Sequence, residues 1–542
     1  ERIRQSGPTA YEVQLAKNRI ESQLVLGLEP VLGQAQALAQ AEARYGYRAL
    51  ASRLEEMKAL TPAMIRDAAR KYLTLENLTL YHYRPKGTPD LGEADALKSV
   101  RAALAAPAAQ PADEPIPAAG AQVAGAAATA AAAPQTTTLS NGATLVVRER
   151  PGAPVVSIGV YFAGGAPGEN SGNAGITRLM TRTMQRGTKT RSAEEIDRAI
   201  EFLGTEIGTD FDSDSFGLRL DILRANVRPG MELLADVVLN PTFPKEGLEE
   251  QRAQQIASIR RAADSSTQRP LQLAFRDLWG THPYALPQDG FIESVQALDA
   301  AALRAWWERT VRADTAVVFM VGDIATADAK ALAESALRGL PKRPVAATPL
   351  APVPLLQARV DTVEYRDRKQ SAIVLLYPTV PASNPDWPKL RLIGNVTSGL
   401  AGTFFAELRG KRSLAYTVFA ADASRKEAGA FLAYLATEAA KESDATAGLI
   451  GEMKRLGTDG ITQDDLVRAK QFFAGSTRIQ LQTNGALLED YAGNQMNGRG
   501  LDFTEKLLKT TDAIGLDDLR TTAAKYFGGG NFVVAVLRGK TG

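Results

Sequence analysis

The sequence has no cysteine and only two histidines, His82 and His282, among 542 residues. The first absence excludes disulfides, a thiol nucleophile and any Cys-ligated metal. The second leaves a His-rich zinc site or a Ser-His-Asp triad almost nothing to draw on. Neither sign of charge is in excess: Lys plus Arg is 63, Asp plus Glu is 61, and the net charge is +2. A dedicated nucleic-acid binder would carry a basic excess or stripe. Long apolar runs are missing too. The longest, residues 124–133, is nearly all alanine and far too short to span a bilayer. Nothing near Glu1 resembles a signal peptide. A first residue other than Met reads as a chain whose beginning is missing. No Gly-Lys-Ser/Thr follows Gly164-Gly165 or Gly399–Gly402 at phosphate-loop spacing. Absent cysteine fits cytosol and periplasm alike.

What is present is ordinary globular material, 45% hydrophobic and 23% charged. At roughly 150 residues per domain, the length suggests about three or four domains. Alanine fills 18 of the 34 positions in 101–134, with five prolines interleaved, so this tract reads as a linker rather than an alanine-rich helix. A second proline cluster, Pro341 to Pro354, marks another break. The expected organisation is block one at 1–95, a linker at 96–135, block two at 136–345 and block three at 346–542.

Blocks one and three repeat one another. Thr9–Glu12 and Thr462–Asp465 each place a hydroxyl three residues before an acid, the pattern of a capping box. They lie 453 positions apart, and Lys71-Tyr72 and Lys525-Tyr526 lie 454 apart. An apolar strand is expected after each. Repeats decide fold class more than single motifs do. Block two opens with apolar stretches flanking Asn141-Gly142, a hairpin signal. A strand at 155–162 and helices near 173–185 and from Ser192 follow, then strands near 205–209 and 215–222. Helices are expected at about 226–238, 244–262, 270–280 and 297–311, and a strand at 316–321. Block three is expected to run strand 370–377, helices 384–398 and 402–409, strands 414–422 and 428–437, and helices 441–456 and 463–480. Strands and helices come in runs, which predicts α+β rather than a doubly wound parallel sheet.

Several stretches carry a resemblance: Leu139-Ser-Asn-Gly-Ala-Thr-Leu-Val-Val, Arg186-Gly-Thr188, His282-Pro-Tyr284, Val321-Gly-Asp323, Leu408-Arg409 and Leu414-Ala-Tyr416. Blocks two and three resemble the two halves of a unit of the insulinase/pitrilysin family, the inverted-zincin metallopeptidases. Block one resembles the end of a preceding second half. The resemblance implies repeated halves, each a mostly antiparallel sheet packed with helices, facing one another across a cavity. It also implies a tandem protein of which this is the downstream unit.

In that family His-x-x-Glu-His and a distant Glu hold zinc and activate water. Counting back from Gly187-Thr188 puts the pentad at Arg178–Arg182 and the distant ligand at Ser258. Arginine cannot donate a lone pair, and all four functions are lost together. Arg178 and Arg182 read either as a solvated i, i+4 pair bridging an acid or as a basic rim contacting a carboxylate. His282, in a turn beside proline, reads as a structural hydrogen-bonding residue. His82, in an expected strand, reads as structural too. Trp306-Trp307 reads as core.

The resemblance gives Arg409 and Tyr416 a different role. In active members an Arg-x6-Tyr pair of the second half binds the substrate carbonyl. A cation and a phenol can both donate to developing negative charge. Read from residues alone, Arg409 could instead make a surface ion pair and Tyr416 pack in the core. The expected function is the non-catalytic portion of a zinc metalloendopeptidase, with no catalytic residue and no zinc of its own. Zinc is expected in an upstream unit or a homologous subunit. The expected ligand is a peptide or unfolded protein, with neither nucleic acid nor a membrane span. The alternative is a zinc-free structural or partner-binding module. Family analogy places it in a bacterial periplasm or envelope.

Overall fold

Asn141-Gly142 makes the turn its sequence calls for: Gly142 has φ +94°, and the Leu139 amide donates to Ala143 O at 2.8 Å. The computed structural model describes residues 1–542 apart from 82, 84–85, 88–91, 106–109, 118–122, 124, 126–132, 343–349, 400 and 541–542. The turn joins β1 (Gln135–Thr138) to β2 (Thr144–Glu149). With β3 (Val155–Ala163), β4 (Gly208–Phe211), β5 (Ser215–Leu223) and β6 (Ala316–Gly322) they form a sheet of order β1-β2-β6-β3-β5-β4. Block three forms a second sheet from β7 (Val360–Tyr365), β8 (Gln370–Thr379), β9 (Thr417–Asp422), β10 (Gly429–Glu438) and β11 (Val533–Arg538), in the order β7-β11-β8-β10-β9.

With β1 set aside, the two orders are the same. Each sheet has one parallel pair, β2 with β6 and β7 with β11, and is otherwise antiparallel. The α+β expectation of repeated, mostly antiparallel halves holds.

Alternation along the strands assigns the faces. Val156, Ile158, Val160 and Phe162 of β3 enter a core shared with the block-two helices. Its other face carries Tyr161, which joins Val146, Phe319 and Val321 under Leu488, Tyr491 and Met496. Those last three belong to helix Asn484–Met496 of block three. The second sheet returns the arrangement. Ile373, Leu375 and Tyr377 face their own helices, while Ala372, Val374 and Leu376 lie against Leu273, Leu278 and Trp279 of block-two helix Gln268–Trp279. Each half thus lends a helix to the other half's sheet. At about 1.5–3 kcal/mol per large apolar side chain buried, these two helices hold the halves together.

Among the described residues, the regular structure of block one is helical. Helix Ala10–Gly27 opens on the Thr9–Glu12 capping box and helix Gln463–Gln480 on the Thr462–Asp465 box, each 18 residues long. Tyr11 stacks on Phe202 at 5.5 Å, and Asn18 Nδ2 donates to Phe202 O at 2.7 Å.

Three expectations need correction. No strand follows Tyr72 among the described residues, and Tyr81 and Tyr83 stand fully in solvent. The counterpart β11 is held between β7 and β8, and block one offers no such pair among the described residues. His82 itself lies outside the described residues. The helix expected at about 297–311 is there as Ala300–Thr310, capped by Asp299, which accepts from Ala302 N at 2.8 Å, and a separate short helix, Ile292–Ala297, precedes it. The helix expected at 402–409 is a π-helical turn, Phe405–Lys411. The alanine-rich tract is not wholly irregular, since helix Glu93–Ala105 occupies its start and ends before Pro107. Further along, Glu114 pairs with Arg198 at 2.9 Å and Val123 is buried in the first core. Trp306 is core as expected, its indole donating to Thr177 Oγ1 at 3.0 Å. Among the described residues no helix is long and apolar enough to cross a membrane.

Candidate functional site

Helix Ile176–Thr183 carries the expected pentad positions. Its N-terminus is capped from outside. The buried Glu169 carboxylate accepts from Gly175 N at 2.8 Å and Thr177 N at 3.2 Å, which satisfies two of the free amides that open any helix. Burial nonetheless raises the Glu169 pKa. Gly175 is required here: its φ is +88°, and a Cβ would sit 2.5 Å from Asp289 O. Buried Gln255 braces the same junction, donating to Gly175 O at 3.0 Å and Asp289 O at 2.9 Å.

Asp289 organises the expected metal position. Its Oδ1 accepts from Arg178 Nη1 at 2.6 Å and its Oδ2 from Ser258 Oγ at 2.9 Å. Arg178 also lies 4.8 Å from the Phe211 ring centroid. Arg182 and Ser258 line one cavity of about 480 Å³. Arg178 and Ser258, two of the positions at which the resemblance puts the ligands, therefore meet around a carboxylate. Of the two readings of the arginine pair, the acid-bridging one fits Arg178. It does not fit Arg182, which has no hydrogen-bond or ion-pair partner among the described residues.

These side chains do not fit zinc. Arg178 and Arg182 are permanently cationic. Thr181 is fully buried and spends its hydroxyl on Thr177 O at 2.8 Å. Ser258 has given its hydroxyl to Asp289. Among the described residues no cluster of His, Asp or Glu could hold a metal ion.

His282 is structural, as expected. Its Nδ1 accepts from Tyr284 N at 3.1 Å, its Nε2 lies 3.0 Å from Ala351 O, and burial lowers its pKa. Tyr284 in turn donates to Asp214 Oδ1 at 2.6 Å.

Arg409 and Tyr416 come together. Leu408 is fully buried and anchors the π-helical turn, and Leu414 N donates to Leu408 O at 2.8 Å. Between them Ser413 adopts φ +50°, an uncommon left-handed conformation for a residue with a Cβ. Tyr416 N donates to Ala436 O at 2.8 Å, fixing the pair to the edge of β10. Arg409 Nη1 donates to Tyr416 O at 3.0 Å, and its guanidinium lies 5.6 Å from the Tyr416 ring centroid. The phenol itself is not core: Tyr416 is 68% exposed. Arg409 makes no ion pair among the described residues. Both readings drawn from residues alone, core packing and a surface ion pair, are overturned.

Sequence reasoning missed Asp289, which no motif marks. It lies 31 positions after Ser258 and more than a hundred after Arg178, so only the folded chain shows it.

Residues 144–287 match the family described as Insulinase (Peptidase family M16), and residues 297–473 match the Peptidase M16 inactive domain. The chain belongs to the insulinase family. Its insulinase-type relatives include an uncharacterized zinc protease of Mycobacterium leprae, 24% identical over 71% of this chain and 88% of that protein. A non-peptidase homolog of Helicobacter pylori is 22% identical over 68% of this chain and 85% of its own length. The beta subunit of a mitochondrial-processing peptidase from Blastocladiella emersonii is 23% identical over 72% and 86%. The crystal structure of a peptidase M16 inactive domain from Pseudomonas fluorescens has the same fold, with a TM-score of 0.71 and 22% identity, covering 76% of this chain and 98% of that one.

Proposed function

We propose that this non-catalytic insulinase-family chain lines the peptide chamber of a zinc metallopeptidase whose zinc is held by another unit. The observation that carries the reading is the Arg409–Tyr416 pair. One guanidinium nitrogen is fixed on Tyr416 O, which leaves other donors and the exposed phenol free for a substrate carbonyl. Fixed donors aimed at developing negative charge are what oxyanion stabilisation needs. The zinc-bearing unit is an upstream unit of the same protein or a homologous subunit. The repeat supports the upstream choice. Helix Val31–Tyr45 begins 453 positions before Asn484–Met496, yet leaves Val31 and Leu32 62% and 68% exposed. Its counterpart is covered by a sheet. A bacterial envelope location rests on family analogy.

The test has two parts. Elemental analysis and a peptide-hydrolysis assay on this chain should show neither tightly held zinc nor chelator-sensitive cleavage. Fluorescence anisotropy with an unfolded-protein peptide should show binding weakened about tenfold by Arg409→Ala and less by Tyr416→Phe, as expected for loss of charge-assisted and neutral hydrogen bonds. Stoichiometric zinc with cleavage would sink the first part. Peptide binding indifferent to both substitutions would favour a second reading, a zinc-free structural module, which the likeness to a non-peptidase homolog supports.

A further inference from the structure

The cavity beside helix Ile176–Thr183 is lined by three cations, Arg182, Arg186 and Arg261, and by no carboxylate. Gln185 and Gln251 add amide donors to the same wall. Arg186 is drawn from outside by Asp197 at 3.6 Å and Glu250 at 3.5 Å, both long contacts. Arg182 and Arg261 have no ion-pair or hydrogen-bond partner among the described residues. Asp289 could have neutralised Arg182, but it is committed to Arg178 and Ser258.

An unpaired cation half removed from water is costly unless something compensates it. The strain shows in Arg182 itself: burial, then repulsion from Arg178, lowers its pKa. The arginines present planar forks of donors, which match the oxygens of a carboxylate or phosphate bidentately. We propose that this cavity is an oxyanion-binding site, with Arg182 as its principal ligand and Arg261 and Arg186 at its wall. The ligand is a small oxyanion or the carboxylate of a peptide. The volume of about 480 Å³ accommodates either. This proposal stands independently of the role given to Arg409 and Tyr416.

The test is thermal unfolding and isothermal titration of the whole chain at constant ionic strength, with chloride replaced by the probe. One arm uses inorganic phosphate. The other compares one short peptide as its free acid and as its C-terminal amide. At least one oxyanion probe should bind and raise the melting temperature. Arg182→Gln should weaken that binding about tenfold or more while leaving the unliganded protein as stable as the parent. Phosphate alone binding assigns a free anion. Preference for the free-acid peptide over its amide assigns a chain-end carboxylate. Absence of binding by both probes overturns the proposal, as does binding that Arg182→Gln and Arg261→Gln leave unchanged. If Arg182→Gln fails to fold, Arg261→Gln and Arg182→Lys carry the comparison. Lysine keeps the charge but loses the fork, so an affinity between parent and Arg261→Gln is expected.

Discussion

Asp289 carries more at the residue scale than any motif residue, because Arg178 and Ser258 both depend on it. Asn at 289 keeps the shape but removes the charge that Arg178 faces. Asp289→Asn should destabilise the chain by about 1–3 kcal/mol, read as a lower urea midpoint with unchanged slope. An unchanged midpoint would mean that water already satisfies Arg178. Asp386 tests a different residue effect. Its carboxylate accepts from Lys525 at 2.7 Å, Tyr526 at 2.9 Å and Lys389 at 3.0 Å. With Lys525 the largest cause, its pKa falls to about 2. A depressed carboxyl gives stability that is present above the unfolded value near 4 and is lost as the pH falls towards 2. Solvent screening discounts the contribution to about 1 kcal/mol. Asp386→Asn should therefore cost about that much at pH 7, and its unfolding curve should converge on the parent's near pH 2. A pH-independent gap would assign the loss to packing.

Helix Ile176–Thr183 makes the clearest case at the scale of elements. Its i, i+4 positions share one face, and Ser258 arrives beside them from helix Lys245–Asp264. Combining Arg178→His, Thr181→Glu, Arg182→His and Ser258→Glu should restore a three-ligand zinc site. Asp289→Asn is added so that no carboxylate is left without its cation. Competition with a chromogenic chelator should then read one zinc per chain, where the parent binds none at that site. A protein that folds but takes no zinc would show the address to be wrong. The elements most legible in the sequence were those with a strong local cause. The Asn141-Gly142 hairpin, the Ser192–Glu195 capping box and β3 fall where turn chemistry and apolar runs place them. What escaped was set by partners far along the chain. Strand β7, Val-Asp-Thr-Val-Glu-Tyr, alternates part-buried with exposed residues and sits at a sheet edge, so no apolar run announces it. Helix Thr326–Ala336 packs on the first core through Ala329, Leu332 and Ala333, and no expectation covers it. The candidate site divides the same way. The spacing of Arg409 and Tyr416 could be read, whereas Asp289 and the unpaired state of Arg182 could not.

At the scale of the whole molecule, three blocks meet at one loop. Arg150 of block two donates to Asn484 Oδ1 and to Gln482 O, each at 3.0 Å. Glu29 of block one accepts from Asn484 N at 2.5 Å, and Val31 N donates to Gln482 Oε1 at 3.1 Å. The loop leads into the helix that block three lends to the first sheet, so block one bears on the clasp between the other two. Glu29 makes this junction pH-sensitive. Burial raises its pKa above 4.5, against the lowering effects of the Asn484 amide and Arg150. A raised carboxyl pKa means that the folded chain holds the proton more tightly than the unfolded one. The Glu29 contribution is then most favourable below the unfolded value and declines as the pH rises through the folded one. Glu29→Gln keeps an acceptor for Asn484 N and carries no charge. It should match or exceed the parent's stability at pH 7, and the difference should shrink as the pH is lowered towards 4. Glu29→Ala should instead lose about 1–2 kcal/mol near pH 4, because it strands a part-buried amide, and its deficit should narrow towards pH 7 as the parent's own contribution declines. The measurement is a set of urea titrations across that range, with hydrogen exchange on helices Ala10–Gly27 and Asn484–Met496. If Glu29→Ala loosens only the first helix, block one rides on block two alone. Faster exchange in both helices would mean that all three blocks share the junction as one cooperative unit.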